Sequence, residues 1–400
     1  MFRKSIKKAI SNDGDFGYLP ESAIYFDSAC QNLRPQSVID AMNEYYQKSN
    51  SCGDRAKYAW GKEVNKKVSA TRAKVLKMLK LSEKKYFVSF TLNTTYGLNL
   101  ILSQLNPNGV KKIITSDIEH NSPFLASISF AKKHNIPREV LTRNEDGSID
   151  IKNVDFSDSV VVLNSASNID GRKLLNIKEV ATKIKQQNGI FIIDAAQAMA
   201  NNHEILHGIE ADAICFSAHK MYGPSLGVIV AKRELLSRIE NTFIGGGMVD
   251  DVTRDDYVLS SQNPEYYHTA FEVGLQSYAA IIGFSAAIDW LLVQKKSGAT
   301  EKLARQGQKL YDFLKSSPKV HLINQESNST ISFYHENFDS ELLATALSDQ
   351  GIMVRSGYFC CHYYLDHVKK YPKLVRFSLG FNTRDSDIEV AIKVLEKVIK

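Results

Sequence analysis

Short apolar runs alternate with helix-like stretches through the middle of the chain, from about Phe87 to Ala231. The runs end at polar residues, which is typical of buried parallel strands whose connecting helices cover both faces of a sheet. A helix is predicted from Thr94 through Leu105. The strand candidates are 87–90, 113–114, 160–163, 190–193, 213–215 and 228–230. The pattern predicts an α/β fold with a mostly parallel sheet and helices on both faces.

The pattern changes at about Tyr278. A long helical stretch runs from there to Gln308 and beyond, and a helix from Asp385 to Lys400 closes the chain. Shorter strand candidates lie between them at 320–322, 329–333 and 374–379. We therefore predict a large domain over residues 21–277 and a smaller α+β domain over residues 278–400. Residues 1–20 form an N-terminal extension, and the sequence only hints that it packs on the small domain.

Composition excludes several function classes. The chain is 44% hydrophobic, which is enough for a sizeable core, and its 50 basic and 44 acidic residues are scattered, so neither nucleic acid nor a membrane surface is indicated. No apolar signal segment follows Met1, and the longest apolar stretch, 279–293, is shorter than the ~20 residues of a membrane span. Five cysteines without framework spacing predict free thiols in the cytoplasm, and the lack of a CxxC pair argues against a metal site.

Two of the predicted strands end in polar residues at one edge of the sheet. The strand at 190–193 leads into Asp194 and Gln197, and the strand at 213–215 leads into Ser217, His219 and Lys220. Ligands of open α/β sheets bind at this edge. These groups fit pyridoxal phosphate, with Lys220 forming the Schiff base and Asp194 keeping the ring nitrogen protonated. Ser217 and His219 would then reach the phosphate, and Gln197 the ring oxygen.

Each of these residues also has an ordinary structural explanation. A lysine at a strand end is usually a surface residue, and Asp194 would serve equally as a helix cap or in a salt bridge. Lys220, however, follows an apolar strand and precedes the tight-turn signal at 222–224. An amine there would be partly desolvated, which lowers its pKa from about 10.4 and makes the neutral nucleophile accessible.

Three further candidates follow earlier strands. His120 would lie flat on the cofactor ring as a stacking partner and proton carrier, although a histidine at such a position is most often a loop residue. Thr94 and Thr95 open a helix, where backbone N–H groups and a hydroxyl can bind the phosphate. Ordinary N-capping by these threonines is compatible with that role.

Two arginines occur in strand-like stretches late in the chain, where a buried guanidinium needs a partner. Arg376 lies within 374–379, and Arg355 follows 352–354. A substrate carboxylate, bound through a bidentate fork, is the partner we favour for Arg376, with a structural salt bridge as the alternative.

The segment 355–362 carries two adjacent cysteines, Cys360 and Cys361, in a predicted loop. A loop cysteine is often inert, but beside an amino-acid-binding cofactor Cys360 would be a nucleophile, with Arg355 or His362 as the nearby cation. His362 is a weaker candidate for holding a proton. A vicinal disulfide between the two cysteines is a strained alternative.

These residues together resemble the class V, fold-type I pyridoxal phosphate enzymes, and within them the group II (SufS/Csd-like) cysteine desulfurases. The resemblance extends from about Tyr25 to the C-terminus. Its most specific segments are 194–198 and 216–224, followed by 93–99, 119–120, 167–171 and 354–360. It implies the fold-type I transferase architecture, conversion of L-cysteine to L-alanine with a persulfide on Cys360, a homodimer, and a sulfur-acceptor protein or thiol.

The resemblance also implies a role for each motif residue. It makes Lys220, Cys360 and His120 catalytic. It places the cofactor among Thr94, Thr95, His120, Asn168, Asp194, Gln197, Ser217, His219 and Lys220. It places the substrate carboxylate against Asn168 and Arg376, with Arg355 nearby.

Several positions depart from the family pattern. Leu275 stands where the family has a threonine whose hydroxyl reaches the phosphate of the partner subunit, and Asp54 stands at a usual histidine. Cys30 takes a usual alanine position, and Cys361 is an additional thiol. The glycine-rich segment 245–247 is expected in a loop near the subunit edge. These departures leave room for a different substrate.

Two other functions are therefore considered. One is a class V aminotransferase, a C–S or C–Se lyase, or a biosynthetic enzyme acting on another amino acid, in which Cys360 would be dispensable. The other is a non-catalytic scaffold that keeps the fold, against which the paired Lys220 and Asp194 argue.

Overall fold

The computed structural model describes residues 14–20, 22–53 and 56–399. Within them, the strands are β1 (Ile24–Tyr25), β2 (Tyr86–Thr91), β3 (Lys112–Ser116), β4 (Arg138–Leu141), β5 (Ser159–Asn164), β6 (Ile190–Asp194), β7 (Ala213–Ser217), β8 (Gly227–Lys232), β9 (Val249–Val252), β10 (Tyr257–Leu259), β11 (Val320–Leu322), β12 (Thr330–His335), β13 (Ile352–Met353), β14 (Arg355–Gly357) and β15 (Leu374–Ser378). The α-helices are α1 (Gln36–Lys48), α2 (Ala59–Leu79), α3 (Thr94–Gln104), α4 (Asn121–His134), α5 (Ile177–Gln186), α6 (Ala198–Asn201), α7 (Tyr278–Lys296), α8 (Ala299–Ser316), α9 (Ser340–Ser348) and α10 (Asp385–Val398).

A seven-stranded sheet forms the centre of the molecule, in the order β2-β8-β7-β6-β5-β3-β4. Neighbouring strands from β7 to β4 are parallel, whereas β8 is antiparallel to both β2 and β7. Every residue of β5 and β7 is buried, which explains why these strands are continuous apolar runs in the sequence. The predicted mostly parallel sheet is thus confirmed.

Successive residues of the central strands enter two different cores. Val161 and Leu163 of β5 pack in the core formed with α2, α5 and α7. Val160 and Val162 of the same strand pack in the core formed with α3 and α4. This alternation shows that helices cover both faces of the sheet, as the sequence predicted.

A second, four-stranded antiparallel sheet, in the order β11-β12-β15-β14, has its own core with α8, α9 and α10. Residues early in the chain join this core: Ile24 and Phe26 are fully buried in it, and β1 pairs with β13. The two sheets are therefore tied together by the segment that leads into α1, and the cleft between them is where the candidate site lies.

The helical stretch predicted from Tyr278 to Gln308 and beyond consists of two helices, α7 and α8. They are separated at Gly298, whose φ of +90° interrupts the helical backbone. α7 packs on α1 and α2 in the large core, while α8 opens the small core. The division at residue 278 stays a prediction, and residues 1–13 of the predicted N-terminal extension lie outside the described residues.

Over the part of the chain that the structure describes, every helix is too short or too polar to cross a membrane. All five cysteines carry free thiols, with Cys215 and Cys361 buried and Cys52 and Cys360 exposed.

Candidate active site

The carboxyl ends of the central strands, together with β14 and β15 of the smaller sheet, enclose a cavity of about 340 Å³. The structure brings twelve of the residues named from the sequence to the wall of this one cavity. These residues are Thr94, Thr95, His120, Asn168, Asp194, Gln197, Ser217, His219, Lys220, Arg355, Cys360 and Arg376. His362 does not line it.

Lys220 ends a single 3₁₀ turn, Ala218–Lys220, that follows directly from β7. The backbone there is held from two sides, because Ala218 N–H donates to the Leu226 carbonyl at 2.8 Å and Asn32 Nδ2 donates to the Lys220 carbonyl at 2.6 Å. Burial lowers the pKa of the Lys220 amine, and the negative charge of Asp194 opposes that shift. The amine is therefore closer to its neutral, nucleophilic form than a surface lysine would be.

Asp194 is the last residue of β6 and is 5% exposed. One carboxylate oxygen accepts a hydrogen bond from Ala196 N–H at 2.9 Å, and burial raises the pKa of the carboxyl. Gln197, one turn later, donates from Nε2 to the Ala29 carbonyl at 2.8 Å. That bond links the end of β6 to the segment after β1.

The first turn of α3 faces the cavity next to the end of β7. Asn93 caps the helix by accepting from Tyr96 N–H at 2.9 Å, and Ser217 Oγ accepts from Thr94 N–H at 2.8 Å. The hydroxyls of Thr94 and Ser217 lie 2.6 Å apart. Hydroxyls and backbone N–H groups at the start of a helix of this length make a site for an anionic group such as a phosphate.

His120 caps α4, and its ring is neutral. Nδ1 accepts from Ser122 N–H at 3.1 Å and lies 2.8 Å from Ser122 Oγ, which favours the tautomer with the proton on Nε2. Burial, followed by the charges of Lys220 and Arg376, lowers the pKa of His120 to about 4. His219 is similar: burial and then the charge of Lys220 lower its pKa to about 4.

Two guanidinium groups meet a single carboxylate at the far side of the cavity. Arg355 of β14 and Arg376 of β15 are paired in register. Asp27 lies 2.6 Å from Arg355 Nη2 and 3.3 Å from Arg376 Nη2. Arg376 also donates from Nη1 to the Asn168 carbonyl at 2.8 Å, while its buried Nε has no hydrogen-bond partner among the described residues. One unbalanced positive charge and an unsatisfied donor favour a bound carboxylate.

Cys360 occupies an exposed turn at the mouth of the cavity. Phe359 and Cys360 have φ of 50° and 59°, in the left-handed region that costs a non-glycine residue about 1–3 kcal/mol. The turn is closed by Cys361 N–H, which donates to the Tyr358 carbonyl at 2.8 Å, and by Asn121 N–H, which donates to the Cys360 carbonyl at 2.6 Å. The sequence indicated a loop but not this conformation.

Sequence reasoning missed three contributors. Asp27 pairs with both arginines, and Ser122 orients His120 and lies 2.6 Å from the Thr95 hydroxyl. Glu119, buried behind Asn164, accepts from its backbone N–H at 2.9 Å, and burial raises the pKa of Glu119 to about 7. Asp27 directly follows the short apolar run 24–26, a signal that could have marked it, whereas nothing local distinguishes Glu119 or Ser122.

The departures from the family pattern lie in different places. Leu275 is 75% exposed and lines a separate depression with Tyr46 and Tyr58, away from the cavity. Cys30 lines the cavity itself. Gly246 of the glycine-rich segment accepts from Gly274 N–H at 2.7 Å. Asp54 lies outside the described residues.

The sequence pattern of the family described as aminotransferase class-V matches residues 24–390. The chain belongs to the aminotransferase class-V family. A member from Haemophilus influenzae, named probable cysteine desulfurase, is 30% identical over 387 residues, which cover 95% of this chain and 86% of that protein. The predicted class V membership is therefore confirmed.

Solved structures agree with this family. The apo structure of cysteine desulfurase from Thermococcus onnurineus matches with a TM-score of 0.85 at 25% identity, covering 100% of this chain and 99% of that chain. The cysteine desulfurase of Escherichia coli shares the fold, with a TM-score of 0.83 at 23% identity over 96% of each chain. The predicted fold-type I architecture is thus confirmed.

The family depends on pyridoxal phosphate, and the cavity fits this cofactor. It offers a desolvated amine at Lys220, a buried carboxylate at Asp194 and an anion-binding helix start beside Ser217. Across the described residues, no three His, Cys, Asp or Glu side chains gather as a metal site would require. The amine, the carboxylate and the anion-binding helix start suit an organic aldehyde phosphate.

Proposed function

We propose that the protein is a pyridoxal phosphate-dependent cysteine desulfurase that converts L-cysteine to L-alanine and receives the sulfur as a persulfide on Cys360. The observation that carries the proposal is the exposed Cys360 on a left-handed turn, at the mouth of the cavity that also contains Lys220, Asp194 and Arg376. The names of the relatives support the same activity.

When bound, pyridoxal phosphate supplies an electron sink that stabilises negative charge on the carbon atoms of an amino acid. Lys220 would hold it covalently, and the Asp194 carboxylate would keep the proton on its ring nitrogen. Thr94, Thr95, Ser217 and His219 would bind the phosphate.

His120 would lie on the cofactor ring and carry an exchangeable proton at Nε2. Gln197 would donate to the ring oxygen, and Asn168 would lie beside cofactor and substrate. These roles are supported by the position of His120, Gln197 and Asn168, whose side chains line the cavity.

Substrate binding would rest mainly on Arg376. Its buried guanidinium has an unsatisfied Nε, and Asp27 balances only one of the two neighbouring positive charges. The carboxylate of the amino acid would complete that cluster. Arg355, whose side chain is 45% exposed, would contribute less because solvent screens it.

Sulfur transfer would then take place between two thiols. The exposed Cys360 would lose its proton to solvent and attack the sulfur of the substrate, so that an S–S bond forms and the C–S bond of cysteine breaks with its electron pair remaining on carbon. That carbon would take up a proton from the Lys220 side chain in its protonated, ammonium form, which regains a proton from solvent, and alanine leaves. The sulfur is oxidised and the carbon reduced, so no external oxidant is required, and the persulfide can pass to an acceptor thiol or protein.

The test is turnover of L-cysteine by protein reconstituted with pyridoxal phosphate. We expect one alanine for each L-cysteine consumed, and a mass increase of one sulfur atom on the peptide that contains Cys360. Cys360→Ala should stop both, while Cys52→Ser, at an exposed cysteine outside the cavity, should change neither. Undiminished turnover by Cys360→Ala, or a keto acid in place of alanine, would favour the runner-up, a lyase or aminotransferase of the same family.

A homodimer is part of the proposal. Exposed aromatic and aliphatic side chains occur at Tyr58, Trp60, Leu92, Phe243 and Leu275, and two of them, Tyr58 and Leu275, line one depression. We propose that the partner subunit covers this depression, because contiguous exposed apolar surface marks interaction sites. We expect light scattering to give twice the mass of the 44.9 kDa chain. Leu275→Glu should shift the protein toward monomer, whereas Leu342→Glu, at an exposed leucine in α9, should not. A cytoplasmic location stays a prediction.

A further inference from the structure

The side chains of Cys361 and Asn168 form a hydrogen-bonded bridge across the turn that carries Cys360. Cys361 is fully buried, and its Sγ donates to Asn168 Oδ1 at 3.0 Å. The same amide donates from Nδ2 to the carbonyl of Phe359 at 2.7 Å. The bridge therefore runs from the residue after Cys360 to the residue before it.

The bridge stabilises a backbone conformation that is unfavourable for residues other than glycine. Phe359 and Cys360 are both left-handed, and two consecutive non-glycine residues keep that conformation only when their surroundings hold it. The guanidinium of Arg376 lies 4.7 Å from the centre of the Phe359 ring, and the Asn168 amide holds the Phe359 carbonyl. Without the amide, the Phe359 carbonyl loses its hydrogen bond, and the turn is held by the ring contact, by packing of Phe359 in an apolar cluster, and by the two backbone bonds from Cys361 N–H and Asn121 N–H.

The chemical state of Cys361 suits a donor rather than a nucleophile. Burial raises the pKa of its thiol far above the usual range, so Sγ keeps its proton. The thiol lies among Ile118, Ile323, Leu365 and other apolar side chains of a small cluster. Asn168 uses its oxygen for this thiol and one N–H for Phe359, so its side chain is oriented from both ends.

We propose that Cys361 is a positioning residue for Cys360: its thiol orients the Asn168 amide, and the amide holds the left-handed turn that keeps the Cys360 thiol at the cavity. The proposal rests on the proposed function only for the sulfur-accepting role of Cys360. The hold on the turn is a property of the folded chain and can be measured without turnover.

The experiment compares three variants of the full chain. Cys361→Ala removes the donor, Cys361→Ser keeps a donor on a side chain of similar shape, and Ile323→Val removes one methyl group from the same apolar cluster without touching Asn168. For Cys361→Ala we expect kcat with L-cysteine to fall roughly 3- to 10-fold, because the hydrogen bond positions the reacting thiol, and a change in KM would report the effect of the same bond on the contact between Asn168 and the substrate. Cys361→Ser should recover most of kcat.

Hydrogen–deuterium exchange of residues 355–362, with and without the cofactor, gives the second measurement. We expect these amides to exchange roughly 3- to 10-fold faster in Cys361→Ala, and near the wild-type rate in Cys361→Ser and Ile323→Val. Unchanged exchange in Cys361→Ala overturns the proposal. If Ile323→Val accelerates exchange as much as Cys361→Ala does, packing is responsible and the proposal is wrong. If Cys361→Ser accelerates exchange as much as Cys361→Ala does, the thiol does not act as a hydrogen-bond donor, and the proposal is again wrong. If the wild type fails to turn over L-cysteine, the proposed function is wrong. The exchange rates would still test whether Cys361 stabilises the turn.

Discussion

The two walls of the cavity are built in opposite ways. On the sheet wall, Asp194 is the last residue of β6 and Lys220 follows β7 by one short turn, and almost all residues of these two strands are buried. On the loop wall, Cys360 is exposed and sits on a turn with two left-handed residues, supported by Asn121 and Asn168. The first wall is held by a sheet, and the second by a few individual contacts.

This difference matches the two tasks of the proposed reaction. A cofactor that is held through many cycles needs groups that do not move, and strand ends in a packed core provide them. A sulfur atom that has to leave for an acceptor needs a carrier that solvent and partners can reach, which places it on a surface turn. Variants on the two walls should therefore fail in different ways.

The largest effect should come from the sheet wall. Lys220→Ala removes the only amine on the cavity wall of the described residues, and we expect turnover to fall by at least about 10³-fold. Borohydride reduction followed by peptide mass spectrometry should label Lys220 in the wild type and nothing in the variant. Lys232→Ala, at a lysine paired with Asp212 outside the cavity, is the matched control. A cofactor label on another lysine would contradict the assignment.

The second largest effect should be a difference in kcat/KM between variants of Arg376 and Arg355. Arg376 is buried and Arg355 is half-exposed. Arg376→Ala should lower kcat/KM about 10²-fold or more, mainly through KM, because it removes a buried charge–carboxylate contact. Arg355→Ala should lower it less than about 10-fold, because its ion pair is screened. Steady-state kinetics with L-cysteine measure both, and equal losses would show that burial does not decide substrate binding.

A smaller effect should appear in stability at low pH. His120 has a pKa lowered to about 4 in the folded chain, from an ordinary value of 6.5. The unfolded chain therefore binds more protons between these values, and the free energy of unfolding falls as pH falls from 6.5 toward 4, by at most about 3 kcal/mol from this residue. Denaturant titrations of His120→Gln should show a shallower decline.

His367→Gln provides the control for that titration, because the side chain of His367 is 70% exposed. It should leave the pH dependence of the wild type unchanged. If His120→Gln and His367→Gln behave alike, the acid sensitivity arises elsewhere on the sheet wall, where His219 has the same lowered pKa of about 4.

The smallest expected effect concerns the region outside both walls. Leu275 is exposed where the family carries a threonine, so Leu275→Thr would restore a hydroxyl at the proposed subunit contact. We expect affinity for pyridoxal phosphate to rise roughly threefold, the value of one modest hydrogen bond. Fluorescence titration measures it, with Leu342→Thr as an exposed control, and an unchanged affinity would show that this position does not reach the partner's phosphate site.

Much of the sheet wall was predictable from local pattern. The run before Asp194 and the run before Ser217 are continuous and apolar, so both strands and their polar ends follow from burial alone. The helix break at Gly298 was not anticipated, because the apolar and polar residues on either side continue a helical pattern across it. A single glycine weighs little against such a pattern until its φ is known.

The sequence by itself determined the class of sheet, the residues at its polar edge and the presence of two cysteines in a loop. Only the tertiary structure decided that Asp27 pairs with Arg376, which lies 349 positions away, and that Phe359 and Cys360 adopt left-handed backbone. Strand ends follow from local hydrophobic pattern, because burial repeats along the chain. The charge partner of Arg376 and the shape of the Cys360 turn depend on contacts between distant segments, and no local pattern encodes them.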